Sequence, residues 1–300
     1  MNWISKKNII TLVLIILVYA LSQILISIGI IDSYVVLNLV LIGINIILAV
    51  SLNLITGFTG QFSLGHAAFM SVGAYTSAIM TAKLGYSFIP SLLASAIIAS
   101  LVGLLIGIPT LRLKGDYLAI ATLGFSEIIR IIFLNIEYLG GASGLNDIPQ
   151  YTTWTWVYVM VIITVIAIKN FVNSYAGRAC IAIREDEIAA EAMGINTTFY
   201  KVLAFIIGAF FAGIAGALYA NYFYFIKPNN FGFMKSVDIL VIVVFGGMGS
   251  IAGSILGAIV LSIISLSLQS IPELRMVIYA IILFLIMVYR PEGLLGKYEN

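Results

Sequence analysis

The chain has 300 residues, of which 62% are hydrophobic and 9% are charged, and its mean hydropathy is +1.13. Soluble domains are roughly a quarter charged, so this composition excludes an ordinary soluble domain and indicates a chain that is solvated by lipid. The net charge of +2 comes from scattered basic residues, which form no nucleic-acid-binding surface, and the single cysteine, Cys180, excludes an internal disulfide framework.

Long apolar runs follow one another along the whole chain. A membrane-spanning helix needs about 20 apolar residues, and such runs must be helical because lipid offers no partner for backbone polar groups. The sequence therefore predicts an all-α, polytopic membrane helix bundle of about ten transmembrane segments, which form a single transmembrane domain over residues 1–300. The runs cover residues 9–31, 34–56, 66–82, 88–108, 116–136, 153–172, 201–226, 237–247, 251–270 and 274–290. The short eighth run is also compatible with a half-helix.

Basic residues predict the orientation of the bundle. If Lys6 and Lys7 lie in the cytoplasm and the spans alternate, most basic residues fall on the cytoplasmic side, as the positive-inside rule requires. The loop of residues 137–152, which contains no Lys or Arg, then lies outside. We predict a multi-pass protein of the cell membrane with both termini and residues 173–200 in the cytoplasm.

Two glycine-rich segments interrupt the apolar pattern, residues 57–75 (GFTGQFSLGHAAFMSVGAY) and residues 245–258 (FGGMGSIAGSILGA). Paired interruptions in the two halves of a transporter point to a substrate pathway between broken helices and to a possible internal inverted repeat. The alternative is close helix packing at small residues, which is equally compatible with the second segment. The predicted pathway residues are Gly57, Gly60, Gln61, Ser63, His66, Gly246, Gly247, Gly249 and Ser250.

His66 is the only histidine of the chain, and no Cys, Asp or Glu lies near it in the sequence. A lone histidine is a poor metal site, so we predict no metal and no cofactor. Proton coupling stays possible in principle, but a structural hydrogen bond is the favoured interpretation.

Glu127 and Arg130 lie three residues apart within an apolar run. Unpaired charges inside a bilayer are costly, so the two side chains are expected to form an intramembrane ion pair that faces the bundle. The pair either fixes helix packing, which we favour, or lines the route of the substrate.

Residues 177–201, the charged segment, carry seven of the chain's 15 basic and 13 acidic residues. The spacing of Ile181, Ile188, Ala192 and Ile195 predicts one amphipathic helix over residues 181–195, ended by Gly194 as its C′ residue. Anionic lipid would repel its acidic polar face, so docking on a soluble partner is favoured over adsorption to the membrane surface.

Six motifs together resemble the LivM-type permease of bacterial branched-chain amino acid ABC importers. They are residues 57–75, GDYLAIATLGFSEIIR at 115–130, GGASGL at 140–145, GRACIAIREDEIAAEAMGI at 177–195, VFGGMGSIAGSILGA at 244–258 and YRPEGLLG at 289–296. The resemblance implies a bacterial membrane permease with a homologous second permease, two cytoplasmic ATPase subunits and an extracytoplasmic binding protein that delivers leucine, isoleucine or valine.

The charged segment is similar to the EAA-type coupling element of such importers, with Glu191, Ala192 and Gly194 matching its core. The resemblance therefore implies a cytoplasmic coupling loop over residues 173–200. Its expected ATPase-coupling residues are Arg184, Glu185, Asp186, Glu187, Ala190, Glu191, Ala192 and Gly194.

The chain contains no GxxxxGK[ST] motif, so ATP hydrolysis is expected from partner subunits, and we predict a permease rather than an enzyme. Urea and short-chain amide importers have similar permeases, which leaves these substrates as an alternative. An ion-coupled secondary transporter is less favoured, because neither glycine-rich segment contains an Asp or Glu that could bind the ion.

Overall fold

The computed structural model describes residues 6–29, 31–110, 113, 115–267, 277–278, 281, 284, 288–289 and 293–296. Eleven α-helices lie within these residues: α1 (Lys6–Ser27), α2 (Ser33–Asn53), α3 (His66–Ala78), α4 (Phe88–Thr110), α5 (Asp116–Asn135), α6 (Trp154–Asn173), α7 (Tyr175–Glu185), α8 (Glu187–Ala192), α9 (Thr197–Phe223), α10 (Phe233–Gly246) and α11 (Ile251–Ser267). The all-α prediction is confirmed for this part of the chain.

Six helical stretches of the described residues are long and apolar enough to cross a membrane. They are Ser33–Phe58, Phe88–Thr110, Asp116–Asn135, Trp154–Asn173, Thr197–Phe223 and Pro228–Gly246, with shorter apolar helices at Ile16–Ser27 and Ile251–Ser267. Helix α3 has only 13 residues before a π-helical turn continues it through Ile79–Lys83. The predicted run at 274–290 falls mostly outside the described residues, so the count of about ten segments stays a prediction.

Small residues bring α3, α4 and α9 into close contact at the centre of the bundle. A Cβ atom on Gly73 would collide with the carbonyl oxygen of Gly213, and one on Gly216 would collide with that of Met70. Gly103 packs in the same way against Ala209. Helices in lipid associate through such close packing because water does not drive them together.

Large apolar side chains divide between the core and the outer faces. Phe69, Tyr75 and Phe205 are fully buried, whereas Leu105 and Ile120 are 69% and 66% exposed. Exposed faces of this kind suit helices that are surrounded by lipid.

The connections between the long helices gather at two ends of the bundle. The end that carries α7 and α8, here the charged end, also holds the α2–α3 and α10–α11 connections. At the opposite end, Leu145 and Ile226 exchange two backbone hydrogen bonds of 2.9 and 3.1 Å, which join the α5–α6 and α9–α10 connections.

Candidate functional site

The first break, residues 54–65, separates α2 from α3 at the charged end. A π-helical turn, Leu54–Phe58, continues α2, and the chain is then irregular up to His66. Gly60 has φ +72°, a left-handed conformation that favours glycine. The backbone amide of Gln61 donates to the Ile55 carbonyl at 3.1 Å, and the Thr59 hydroxyl donates to the Leu54 carbonyl at 2.9 Å. These bonds satisfy backbone acceptors that the interrupted helix leaves without partners.

The second break, residues 247–250, separates α10 from α11. Gly247 and Gly249 have φ +116° and +85°. Ser250 accepts from the Gly253 amide at 3.0 Å through its Oγ and thereby caps the new helix. Gly246 packs so closely on Gly253 that a Cβ atom would collide with its carbonyl oxygen, as the close-packing interpretation of this segment requires.

Asn53 joins the two breaks. Its Oδ1 accepts from the Gly249 amide at 2.8 Å, and its Nδ2 donates to the Ser250 carbonyl and the Ser254 hydroxyl, both at 2.8 Å. The side chain is fully buried. Sequence reasoning missed Asn53, although an amide inside the apolar run of residues 34–56 was a signal that could have identified it.

Arg184 connects the charged segment to this junction. Its Nη1 donates to the carbonyl oxygen of Gly57 at 2.9 Å. A Cβ atom on Gly249 would lie 2.7 Å from the same nitrogen, and one on Gly60 would lie 3.1 Å from Arg184 Cγ. The guanidinium also donates to Glu185 Oε1 through Nε at 3.0 Å, and its side chain is 35% exposed. One arginine therefore contacts both breaks.

The prediction of one helix over residues 181–195 is wrong, because Asp186 divides the charged segment. Asp186 has an extended backbone (φ −156°, ψ 109°), and its Oδ1 accepts from the amides of Ile188 (2.9 Å) and Ala189 (3.0 Å). An aspartate in this position is a strong N-cap, and capping α8 ends α7 one residue earlier. The expected apolar stripe is therefore divided, with Ile181 on α7 and Ile188 and Ala192 on α8.

Gly194 ends α8 as predicted. It has φ +84°, its amide donates to the Glu191 carbonyl at 2.9 Å, and the Ile195 amide donates to the Ala190 carbonyl at 3.0 Å. These two bonds form a Schellman motif, in which a left-handed C′ glycine satisfies the last carbonyls of a helix.

Two side-chain contacts hold α8 against α9. Lys201 Nζ pairs with Glu187 Oε1 at 2.7 Å, and Thr197 Oγ1 donates to Glu191 Oε1 at 2.7 Å. Gln61 Nε2 of the first break donates to the Lys201 carbonyl at 3.2 Å. Glu187 and Glu191 thus bond the charged segment to the bundle, although both were expected to face a partner.

Apolar side chains are exposed on α8 and on Met193, its C-cap residue, next to the exposed Glu191. Ile188 and Met193 are 76% and 82% exposed, and Ala192 is also exposed, whereas Ala190 is buried against the bundle. A short helix that shows its apolar side chains to the outside has the form of an insertion element for a groove on another protein.

Arg184 also borders two separate cavities at the charged end. One, of about 230 Å³, is lined by Gln61, Glu187 and Lys201 among others. The other, of about 730 Å³, is lined by Lys169, Arg178 and Gly249 among others. The first cavity reaches Gly60 of the first break, whereas the second is lined by residues of both breaks, Phe58 and Gly249.

The other predicted pathway residues are Ser63, which lies within the first break, and His66, which directly follows it. His66 is fully buried, with Nε2 at 2.8 Å from the hydroxyl of Ser51, which is the structural hydrogen bond that we favoured. Ser63 accepts from the Gly65 amide at 3.4 Å. Within the described ranges, no group of three His, Cys, Asp or Glu side chains is placed to hold a metal ion.

Glu127 and Arg130 form the predicted pair, but near the opposite end rather than at the breaks. Arg130 Nε donates to Glu127 Oε2 at 2.7 Å, and its Nη1 donates to Asn229 Oδ1 at 2.9 Å. The two side chains are 26% and 30% exposed. The pair joins α5 to the 3₁₀ turn Pro228–Phe231 that precedes α10.

Cys180 lies inside α7 and is fully buried. Burial raises the pKa of its thiol above the ordinary value, because the thiolate would be desolvated. Its Sγ lies 3.7 Å from the carbonyl oxygen of Tyr200, to which the thiol donates. The cysteine packs α7 on α9.

Comparison with known proteins assigns a family to this arrangement. Residues 34–287 match the family described as the branched-chain amino acid transport system / permease component. The chain belongs to this family. As a member of this permease family, it is a membrane transport protein and not a member of an enzyme family.

Two related groups of permeases are similar to the chain. It is 36% identical to the high-affinity branched-chain amino acid transport system permease protein LivM of Salmonella typhimurium over 285 residues, which cover 83% of this chain and 67% of that protein. It is 28% identical to the permease protein LivH of Escherichia coli, over 84% of this chain and 91% of that protein. It is 27% identical to a probable LivM of Methanocaldococcus jannaschii, over 69% of this chain and 68% of that protein. No solved structure matches the chain.

Proposed function

We propose that the chain is the transmembrane permease of an ATP-driven importer of branched-chain amino acids. Family membership supports the transport role, and the names of its relatives support leucine, isoleucine and valine as substrates. Similarity to both LivM and LivH permeases supports a complex in which two homologous permeases pair. Two cytoplasmic ATPase subunits and an extracytoplasmic binding protein complete the proposed importer.

The bond from Arg184 to the Gly57 carbonyl carries this proposal. An importer whose permease does not bind ATP must receive the energy through a contact with another subunit. Residues 173–200 are proposed as that coupling loop within a single transmembrane domain over residues 1–300. Arg184 links the loop directly to both breaks, so a displacement of the loop reaches the point where the helices are interrupted.

In this mechanism the exposed Ile188 of α8 and Met193, which directly follows α8, insert into a groove of the ATPase. The contacts of Glu187 with Lys201 and of Glu191 with Thr197 make α8 and the start of α9 move together. Among the predicted coupling residues, Glu187 and Glu191 thus transmit force inside the permease, while the exposed apolar side chains form the docking surface.

The two breaks act as the gate at the charged end. Asn53 holds them together, and opening a route to the cytoplasm requires its bonds to Gly249 and Ser250 to separate. The backbone can change direction there without collisions between side chains, because the breaks contain Gly57, Gly60, Gly247 and Gly249. The proposed orientation places this end, and both termini, in the cytoplasm of a bacterial cell.

Uptake into proteoliposomes tests the function. The complete complex, with both permeases, the ATPases and the binding protein, is reconstituted with ATP or with a non-hydrolysable ATP analogue. We expect uptake of labelled leucine that requires ATP hydrolysis and persists when ionophores collapse proton and sodium gradients. Uptake that follows an ion gradient and ignores ATP would establish the secondary transporter instead, and uptake of urea or acetamide in place of leucine would establish the amide alternative.

A further inference from the structure

The larger of the two cavities at the charged end, of about 730 Å³, lies between α6, α7 and the start of α11. Helices α6 and α11 both pack on α2, and the π-helical turn that continues α2 adds the buried Phe58 to the lining. Lys169, Asn173 and Arg178 also line the cavity and are exposed, so it opens to the outside of the bundle. This space is called the α6–α11 groove below.

The charges in the α6–α11 groove are all positive. Its lining includes Lys169 of α6 and both Arg178 and Arg184 of α7, whereas no Asp or Glu is found among the described residues that line it. Arg184 is partly neutralised by Glu185 and is held by the Gly57 carbonyl. The other two cations are therefore the ones that a ligand can reach.

Lys169 and Arg178 have no carboxylate partner in the part of the chain that the structure describes. Arg178 Nη1 donates to the neutral carbonyl oxygen of Asn173 at 2.9 Å, and Lys169 makes no hydrogen bond or ion pair with a described residue. A guanidinium has five N–H donors, so most of those of Arg178 stay available. Like charges in one groove repel each other, and an anion between them would stabilise both.

Apolar side chains continue the groove away from its charges. They are Val165 and Val172 of α6, Ile181 of α7 and Ile255 of α11. Val165 precedes Lys169 by four residues, which places it about 6 Å further from the charged end along α6. The groove therefore combines a positively charged mouth with an apolar interior.

The outer faces on both sides of the groove are suited to lipid. Ile166 of α6 and Leu256 of α11 are exposed large apolar side chains. Tyr175, at the start of α7, is also exposed, and tyrosines are enriched at the level of the lipid headgroups. A ligand in the groove would thus meet headgroups at the mouth and acyl chains at the sides.

We propose that the α6–α11 groove binds an anionic phospholipid of the leaflet at the charged end, with its phosphate at Lys169 and Arg178 and an acyl chain against Val165 and Ile255. Basic pockets between membrane helices bind anionic headgroups, and arginine binds phosphate through paired N–H groups. A soluble phosphate shares the charge but would leave the apolar walls uncovered. Neither cation bonds to either break, so this site is separate from the contact of Arg184 with the breaks.

Lipid titration of the purified full chain in detergent, followed by native mass spectrometry, tests the proposal. We expect phosphatidylglycerol to bind at least about tenfold more tightly than phosphatidylcholine with the same acyl chains. The double variant Lys169→Gln/Arg178→Gln should lose most of this preference. Lys83→Gln/Lys227→Gln, which removes two exposed positive charges at the opposite end, should keep it. Equal preferences in the two double variants, or no preference in the wild type, would overturn the proposal.

A protection experiment decides the question if the first double variant does not fold. Asn173→Cys places a thiol in the groove while both cations stay native, and Tyr175→Cys places an exposed thiol at the same end outside the lining. The native Cys180 is buried. In nanodiscs, phosphatidylglycerol should slow the reaction of an uncharged methanethiosulfonate reagent with the first thiol, relative to phosphatidylcholine, and not with the second. Absence of protection contradicts the lipid site.

Two results of the same experiment would assign the groove to another occupant. Protection by glycerol 3-phosphate in phosphatidylcholine nanodiscs, without protection by phosphatidylglycerol, would make it a site for a soluble phosphate. Protection that requires added ATPase subunits instead of phosphatidylglycerol would make it a docking place for an acidic segment of that partner. Either result rejects the lipid.

This site goes beyond the proposed function and does not depend on it, because it requires only a membrane around the helices. ATP-driven leucine uptake by the wild-type complex, together with failure of both lipid experiments, would reject the site and leave the importer intact. Specific lipid binding without any ATP-driven uptake would retain the site and reject the importer.

Discussion

The guanidinium of Arg184 reaches from helix α7 to the carbonyl oxygen of Gly57, 2.9 Å away, in the turn that interrupts α2. The same side chain lies against Gly249 in the interruption between α10 and α11. The charged segment is therefore in contact with both points at which the helical pattern of this chain fails.

Replacing Asn53 by alanine should destabilise the bundle. The Gly249 amide would lose its acceptor, which costs about 1–3 kcal/mol for an unsatisfied buried group. We expect the midpoint of thermal unfolding in detergent to fall by about 2–12 °C, since 1 kcal/mol shifts it by roughly 2–4 °C in larger domains.

Asn135→Ala is the matched control for this prediction. Asn135 is exposed, and its amide bonds only a carbonyl of its own helix, that of Ile131. Its replacement should change stability by no more than about 0.5 kcal/mol. Equal shifts in the two variants would show that Asn53 does not hold the breaks together.

Gly194→Pro should abolish co-purification of the ATPase. Proline cannot adopt φ +84° and has no amide to donate to Glu191, so the end of α8 would be remodelled. Gly194→Ala should retain much of the interaction, because nothing lies within 4 Å of a Cβ atom there and only the left-handed backbone is disfavoured, by about 1–2 kcal/mol.

Gly85→Ala controls for backbone strain in general. Gly85 has φ +67° and equally open surroundings, but it lies at the opposite end. Co-purification should match wild type in this variant. If Gly194→Pro also retains the ATPase and transports normally, α8 is not the docking element.

Exchanging the charges of Glu127 and Arg130 should restore much of the stability that either single reversal removes. Each single reversal places two like charges together, whereas the exchanged pair can form again. Because both side chains are partly exposed, we expect a coupling energy of only about 0.5–1 kcal/mol in a double-mutant cycle. An exchanged variant that folds but does not transport would assign the pair a role in the route.

Cys180 should react slowly with thiol reagents in the folded protein. Its pKa is raised by burial, so the folded state disfavours the thiolate, and this cysteine's contribution to stability is present below the ordinary thiol pKa of about 8.5 and declines as the pH rises above it. Labelling with a maleimide at pH 7.5 should be at least tenfold faster after unfolding in detergent than before. Equal rates would place the thiol at the surface.

The sequence allowed the helical class, the family, the two interruptions and the Gly194 helix end to be predicted, because each depends on local chemistry. Apolar runs require helices in lipid, and a glycine that follows a helical pattern indicates the C′ position at which the helix ends. The division of the charged segment also has a local cause, because Asp186 is the N-cap of α8. It was not predicted because the helical spacing of the apolar residues continues across residues 181–195.

The contacts of Asn53, Arg184 and Lys201 could not be predicted from spacing. Asn53 and Gly249 are 196 residues apart, and Arg184 and Gly57 are 127 apart. Such pairs depend on how helices are placed relative to one another, about which a single sequence says little.

The ratio of leucine imported to ATP hydrolysed in proteoliposomes tests the central claim, that Arg184 transmits the motion of the charged segment to the breaks. In Arg184→Gln we expect ATP hydrolysis to continue while uptake falls at least tenfold. Arg178→Gln, which removes an arginine that bonds only the nearby Asn173 carbonyl, should keep the wild-type ratio. An unchanged ratio in Arg184→Gln would contradict the account.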